Sequence, residues 1–224
     1  MTQDEVLNYL QQHVIPHPSK LIYQPPRKPT YGISYPKLKE VSKIIIRSNP
    51  IEFLESNNFS IYELEILQTY VIGSLKDIDQ AIHYFKELLK VAKEWSVIDS
   101  LCQRLIITRK YPFKVLDLLK TYMDSNDEYI ERMICVVALS HLLRDESVEE
   151  AIELMTQLHH PGYYAKMGKA WALCEVMVKY PDQAFRILEE KSVDPWTHNK
   201  AIQKMIESYR IPQETKVKLK TMRI

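Results

Sequence analysis

Apolar residues recur every three or four positions from about residue 36 to the end of the chain, a spacing that predicts helices almost without pause. The helices expected are 36–47, 49–56, 60–74, 77–92, 96–108, 112–124, 127–143, 147–158, 162–179, 181–190, 197–208 and 212–221. A short amphipathic helix over 2–13 precedes them, with Val6, Leu7, Leu10 and Tyr9 on its apolar side. The breaks fall at Asn49-Pro50, Tyr111-Pro112, His160-Pro161-Gly162, Tyr180-Pro181 and Asp194-Pro195. Each puts a proline at or near a first helical turn, where its missing amide hydrogen would have had no partner. Pro16, Pro18, Pro25, Pro26 and Pro29 predict a non-helical loop, so that residues 1–35 read as a short helix and a Pro-rich connection.

An internal register links the longer helices. Asp99-x-x-Cys102, Arg132-x-x-Cys135 and Trp171-x-x-Cys174 are separated by 33 and 39 residues, and Glu65-x-x-Gln68 stands where a fourth copy falls. Spacings of this size belong to helix-pair repeats, in which one pair cannot bury its apolar faces and neighbours stack. The fold class expected is therefore all-α, an α-α superhelix of stacked antiparallel helix pairs (HEAT-like repeats), forming a single domain over 1–224. In such an array positions 99, 132 and 171 line one groove, and each cysteine three residues later turns inward.

Composition narrows the alternatives. Hydrophobic residues make up 46% of the chain, enough for a sizeable core, while four glycines are too few for a turn-rich β protein or a phosphate-cradling glycine loop. The start lacks a basic region ahead of an apolar stretch. The longest apolar run, 134–143, is too short to span a bilayer and contains Ser140 and His141. A cytoplasmic protein without membrane association is the expectation. The three cysteines have no CxxC spacing and predict buried thiols. The seven histidines are scattered, with no third ligand near His159-His160, so no metal is expected.

The formal net charge of +1 conceals a strong segregation. Residues 19–47 carry seven basic residues (Lys20, Arg27, Lys28, Lys37, Lys39, Lys43 and Arg47) against Glu40. Residues 191–224 carry eight basic residues against Asp194, Glu207 and Glu214, and the segment between has 15 basic and 23 acidic. Such runs form either solvated helix faces or two basic ends that a polyanion bridges.

Four residues could carry chemistry, and each has a structural alternative. Trp95 and Asp99, four residues apart, present an indole and a carboxylate from one helix face, unless Ser96-x-x-Asp99 is a capping box with Trp95 packed beneath it. Arg132, in a helix apolar on most sides, is either a phosphate clamp or one half of an ion pair within its own or an adjoining helix. Trp171, in Lys166-Met-Gly168-Lys169-Ala-Trp171, is either core or part of a binding face.

Taken together, several segments resemble the AlkD-like DNA alkylation repair family. They are the Trp95-x-x-x-Asp99 pair, Arg132 ahead of Val136-Val-Ala-Leu139, the Lys166-x-Gly-Lys-Ala-Trp171 helix, the segment Thr197-His-Asn-Lys-Ala-Ile-Gln-Lys-Met-Ile-Glu-Ser-Tyr-Arg210 and Tyr31-Gly-Ile-Ser-Tyr-Pro-Lys-Leu38. The resemblance covers roughly residues 30–224 and implies a HEAT-like superhelix that binds double-stranded DNA containing alkylated purines. In active members it implies hydrolysis of the N-glycosidic bond of purines alkylated at N3 or N7. By position, Asp99, Trp95, Trp171 and Arg132 correspond to the family's catalytic cleft, and no cofactor or metal is implied. Lys37, Lys166, Lys169, Lys200, Lys204 and Arg210 are the expected contacts to the DNA backbone, made by a monomer. Three features depart from the pattern: Glu131 stands beside the clamp arginine, where active members often have a second arginine; the middle segment is acidic; and the Pro-rich start has only one short helix before it, where active members commonly carry a stronger DNA-binding N-terminal region. The competing readings are a non-catalytic DNA-binding member of the same superfamily and a helical-repeat scaffold for protein partners.

Overall fold

Pro50, Pro112, Pro181 and Pro195 each open a helix, and Asn49, Asp77, Asp127 and Asp194 cap four helix starts with side-chain oxygens on backbone amides. The computed structural model describes residues 2–14, 28–56 and 59–224. Pro16, Pro18, Lys20, Pro25, Pro26 and Arg27 lie outside the described residues. Among the described residues there are thirteen α-helices and no strand, so the fold class is the all-α one that the periodicity predicts.

The chain forms two compact units, residues 1–107 and 108–224. The first holds α1 (Gln3–Gln11), α2 (Tyr35–Ser48), α3 (Pro50–Glu55), α4 (Tyr62–Ser74), α5 (Ile78–Val91) and α6 (Trp95–Arg104). The second holds α7 (Pro112–Lys120), α8 (Glu128–Val137), α9 (Val148–Gln157), α10 (Tyr163–Lys179), α11 (Pro181–Glu189), α12 (Pro195–Glu207) and α13 (Gln213–Thr221).

Each unit is built around one helix that is packed between two others. In the first unit α4 packs against α2 on one side and α6 on the other, and every residue from Tyr62 to Thr69 is buried. In the second unit α10 packs against α8 and α12 and buries Ala165, Gly168, Lys169, Ala170, Ala172, Leu173, Cys174, Val176 and Met177. The buried positions of such a helix should be apolar, yet these two carry Glu63, Glu65 and Lys169 buried.

The carboxylates of α4 are met by the incoming chain. Glu63 Oε1 accepts from Thr30 Oγ1 at 2.7 Å, the Tyr31 amide at 2.9 Å and the Ile33 amide at 3.2 Å. Gly32, between them, adopts a φ of 73°, a conformation costly for any residue with a Cβ. Glu65 pairs with Lys28 at 2.8 Å, and the same ammonium donates to the Phe59 carbonyl. Burial pushes the Glu65 carboxyl up, against the pull of Lys28.

Three helix bounds differ from expectation. The helix expected over 96–108 stops at Arg104, where Leu105 leaves helical backbone and a 3₁₀ turn, Ile106–Lys110, follows. Nothing in 105–108 is a helix breaker, so the stop comes from packing: Gly73 of α4 abuts the Arg104 backbone, and Arg104 stacks its guanidinium on Tyr70. The helix expected over 112–124 ends at Lys120 in a run of turns leading to Asn126, which has positive φ. The helix expected over 127–143 changes at Ala138 into a π turn, Ala138–Leu142, whose His141 accepts a hydrogen bond from Arg109 at 3.2 Å.

A Cβ at Gly73 would stand 2.7 Å from Arg104 Cβ and 2.8 Å from its carbonyl oxygen. Gly73→Ala should therefore force α4 and α6 apart and lower the urea unfolding midpoint by the equivalent of about 1–3 kcal/mol, despite alanine's better helix propensity. An unchanged or raised midpoint would show that the two helices do not approach so closely.

Candidate functional site

In the first unit, α6 carries the candidate indole and carboxylate. The helix begins at Trp95 with Glu94 as the residue before it and no side-chain cap. The Ser96 capping box is therefore not formed. Ser96 sits inside the first turn, and its Oγ meets the Tyr62 hydroxyl at 2.9 Å, which in turn meets the Tyr35 hydroxyl at 2.7 Å. This relay of hydroxyls ties the first turns of α2, α4 and α6 together, and desolvation pushes the Tyr62 phenol up. Trp95 is not packed beneath the helix start, because 42% of it is exposed. Asp99, one turn further along the same face, is nearly buried at 8%.

In the second unit, Arg132 is 7% exposed on α8 and donates from Nη1 to the Tyr164 carbonyl of α10 at 3.0 Å. The adjoining helix thus supplies a backbone acceptor for the guanidinium. Gly168 makes the approach possible: a Cβ there would lie 3.2 Å from Arg132 Cγ. Tyr164, Gly168 and Trp171 fall on one stripe of α10, the stripe turned to α8, and Trp171 is half-buried.

The acidic neighbours of Arg132 serve the loop ahead of α10. Glu128 accepts from the Tyr164 amide at 2.6 Å, and Tyr129 stacks on Tyr164 with centroids 5.6 Å apart. Glu131 is buried and accepts from the His159 and His160 amides, the latter through both oxygens at 2.9 and 3.0 Å. Two backbone donors stabilise its carboxylate, which is thereby committed to the loop ahead of α10.

The cations expected on the DNA backbone divide. Lys169 is a correction: it is 3% exposed, its ammonium donates to the Leu158 carbonyl, and burial pushes its pKa down from the lysine range, so it is not a surface charge. Arg210 grips Glu175 with both terminal nitrogens, and Lys166 pairs with Asp194 at 3.2 Å. Lys37 pairs with Glu40 at 3.4 Å and lies over the Tyr9 ring, while Lys200 and Lys204 are half-buried on α12.

Sequence reasoning missed Trp196. It is 39% exposed at the start of α12, in edge contact with Tyr163 and with Lys166 and Lys200 each 5.9 Å from its ring centroid. An aromatic flanked by Pro195, Thr197, His198 and Asn199, outside any apolar stripe, was the signal available. Among the described residues no group of three or more His, Cys, Asp or Glu could hold a metal ion, and no helix is long and apolar enough to cross a membrane.

Compared with known proteins, the chain matches the family described as DNA alkylation repair enzyme over residues 5–205. No curated protein and no solved structure matches it.

Cys102, Cys135 and Cys174 are buried thiols that form no disulfide. Burial pushes the Cys135 thiol up to about 12 and the Cys174 thiol to about 11, so neither carries appreciable thiolate near pH 8. A maleimide or iodoacetamide probe should leave all three unlabelled in the folded protein and label them in denaturant, as mass spectrometry reads directly. Rapid labelling of the folded protein would contradict their place in the core.

Proposed function

The chain belongs to the DNA alkylation repair enzyme family, and from that membership we propose that it is a DNA N-glycosylase acting on purines alkylated at N3 or N7. The observation that carries this reading is the pair on α6, an exposed indole and, one turn away on the same face, a carboxylate largely withdrawn from water.

The chemistry follows from the substrate. A purine alkylated at N3 or N7 is cationic, and when the C1′–N9 bond breaks, its electron pair leaves with the base as a neutral alkylpurine. The sugar is left with oxocarbenium character. Asp99, as an anion in a surrounding of low dielectric, stabilises that positive charge and orients the water whose oxygen adds to C1′ as its proton is lost. Trp95 and Trp171 offer electron-rich faces to the cationic nucleotide, each contributing about 1–2 kcal/mol where water is excluded. Arg132, fixed by the Tyr164 carbonyl, holds a phosphate and sets register without reading sequence. Lys37, Lys166, Lys200, Lys204 and Arg210 supply backbone contacts, Arg210 by exchanging Glu175 for phosphate. The reading is of a monomer, and it needs no metal or cofactor.

The test is release of base from a duplex containing 7-methylguanine, scored as alkali-labile sites. The wild-type chain should produce them, and Asp99→Asn should lower the rate by roughly 10²- to 10³-fold while duplex binding persists. Binding without base release in the wild type identifies a non-catalytic member. A flat plot of log K against log salt identifies a protein scaffold, because phosphate contacts give a negative slope that replacing Lys200 and Lys204 should reduce.

A further inference from the structure

Tyr163 and Trp196 stand at the N-terminal ends of α10 and α12, 57% and 39% exposed, with ring centroids 5.9 Å apart and planes inclined at 67°. More than a third of the Trp196 surface is thus left to solvent, where an aromatic ring gains nothing from burial. Trp171, by contrast, is half-buried.

The surroundings of Trp196 are cationic. The Lys166 and Lys200 ammoniums each lie 5.9 Å from its centroid. The acidic group there, Asp194, is engaged by the Thr197 amide at 3.2 Å, by the Thr197 hydroxyl and by Lys166. Beside the indole runs a groove of about 460 Å³ whose lining includes Trp196, Asn199, Lys200, Gln203, Arg223 and Ile224 and, among the described residues, no acidic side chain. A partly exposed indole with two mobile ammoniums over its ring, beside a groove that among the described residues has no acidic side chain, is complementary to a nucleotide strand, in which planar bases alternate with phosphates.

We propose that Tyr163, Trp196, Lys166 and Lys200 form a platform for single-stranded DNA, with an unpaired base stacked on Trp196 and the adjacent phosphates held by the two lysines. A duplex does not fit this chemistry as well, because its bases already stack on one another and offer only their edges and the phosphates. Lysines alone would suffice for a duplex. Exposed rings are useful where base faces are free, and stacking on them is indifferent to sequence. The platform rests on the reading of the chain as a DNA-binding protein, but not on its catalysis, and it would let the protein engage damage that lies in or beside unpaired DNA.

The experiment compares the intact protein with Trp196→Leu and Trp196→Phe, both of which keep apolar bulk at this exposed position. Fluorescence anisotropy is measured with a labelled oligothymidylate and with an undamaged duplex of equal length at one salt concentration. The leucine variant should lose about tenfold in affinity for the oligothymidylate while its duplex affinity stays within about twofold, and the phenylalanine variant should retain most of both. Equal binding of the oligothymidylate by wild type and the leucine variant overturns the platform, as does a parallel loss on both DNAs or a wild type that does not bind the single strand. Base release from the 7-methylguanine duplex, assayed on the same proteins, separates the two proposals. Release without a single-strand defect in the leucine variant leaves the glycosylase and removes the platform. A single-strand defect in a chain that releases no base leaves the platform and removes the glycosylase.

Discussion

A charge buried on an inner helix has to be met by hydrogen bonds from whatever passes over it, and in both units the passing element is a connecting segment. Glu63 takes donors from residues 30–33, Glu65 takes Lys28, Glu131 takes the amides of His159 and His160, and Lys169 donates a hydrogen bond to the Leu158 carbonyl. A buried group left without a partner costs about 1–3 kcal/mol, and more when charged. Each of these charges therefore fixes the path of a loop as firmly as an apolar contact fixes a helix. The apolar faces bring α2, α4 and α6, or α8, α10 and α12, side by side; the buried charges fix how the segments between them run.

The candidate chemistry inherits its geometry from that constraint. Arg132 is aimed by the Tyr164 carbonyl, Tyr164 is held by Glu128 and Tyr129, and Gly168 gives the space for α8 and α10 to approach. On the other unit the Tyr35, Tyr62 and Ser96 hydroxyls lock the first turn of α6, so that Trp95 starts the helix and faces water while Asp99 stays withdrawn. A carboxylate held in such surroundings interacts more strongly with a developing positive charge than one free in solvent. The glycosylase reading draws on that difference.

Much of this was legible in the sequence. Apolar period, prolines at first turns and aspartate or asparagine caps are local signals, and they locate the helices and the inward-facing cysteines. What was not legible depends on partners far along the chain. Ser96 looks like a cap until Tyr62, 34 residues away, claims its hydroxyl. The stop of α6 at Arg104 comes from Gly73, and Lys169 reads as a surface cation until α8 and the Leu158 carbonyl enclose it. Glu131 reads as a charge that repels DNA, whereas two backbone amides occupy it. Trp196 was passed over because it belongs to no apolar stripe, which is the property that leaves its face open.

The central claim is that Asp99 is an anion poised against positive charge on a deoxyribose ring. Its most direct test is the affinity of the chain for two duplexes that differ at one sugar, a cationic 1-azadeoxyribose in place of the oxocarbenium and a neutral tetrahydrofuran. The account predicts that the cationic sugar is preferred on the order of a hundredfold, as expected of a mimic of the transition state, and that Asp99→Asn removes the preference. Equal affinity of the wild-type chain for the two sugars would contradict it.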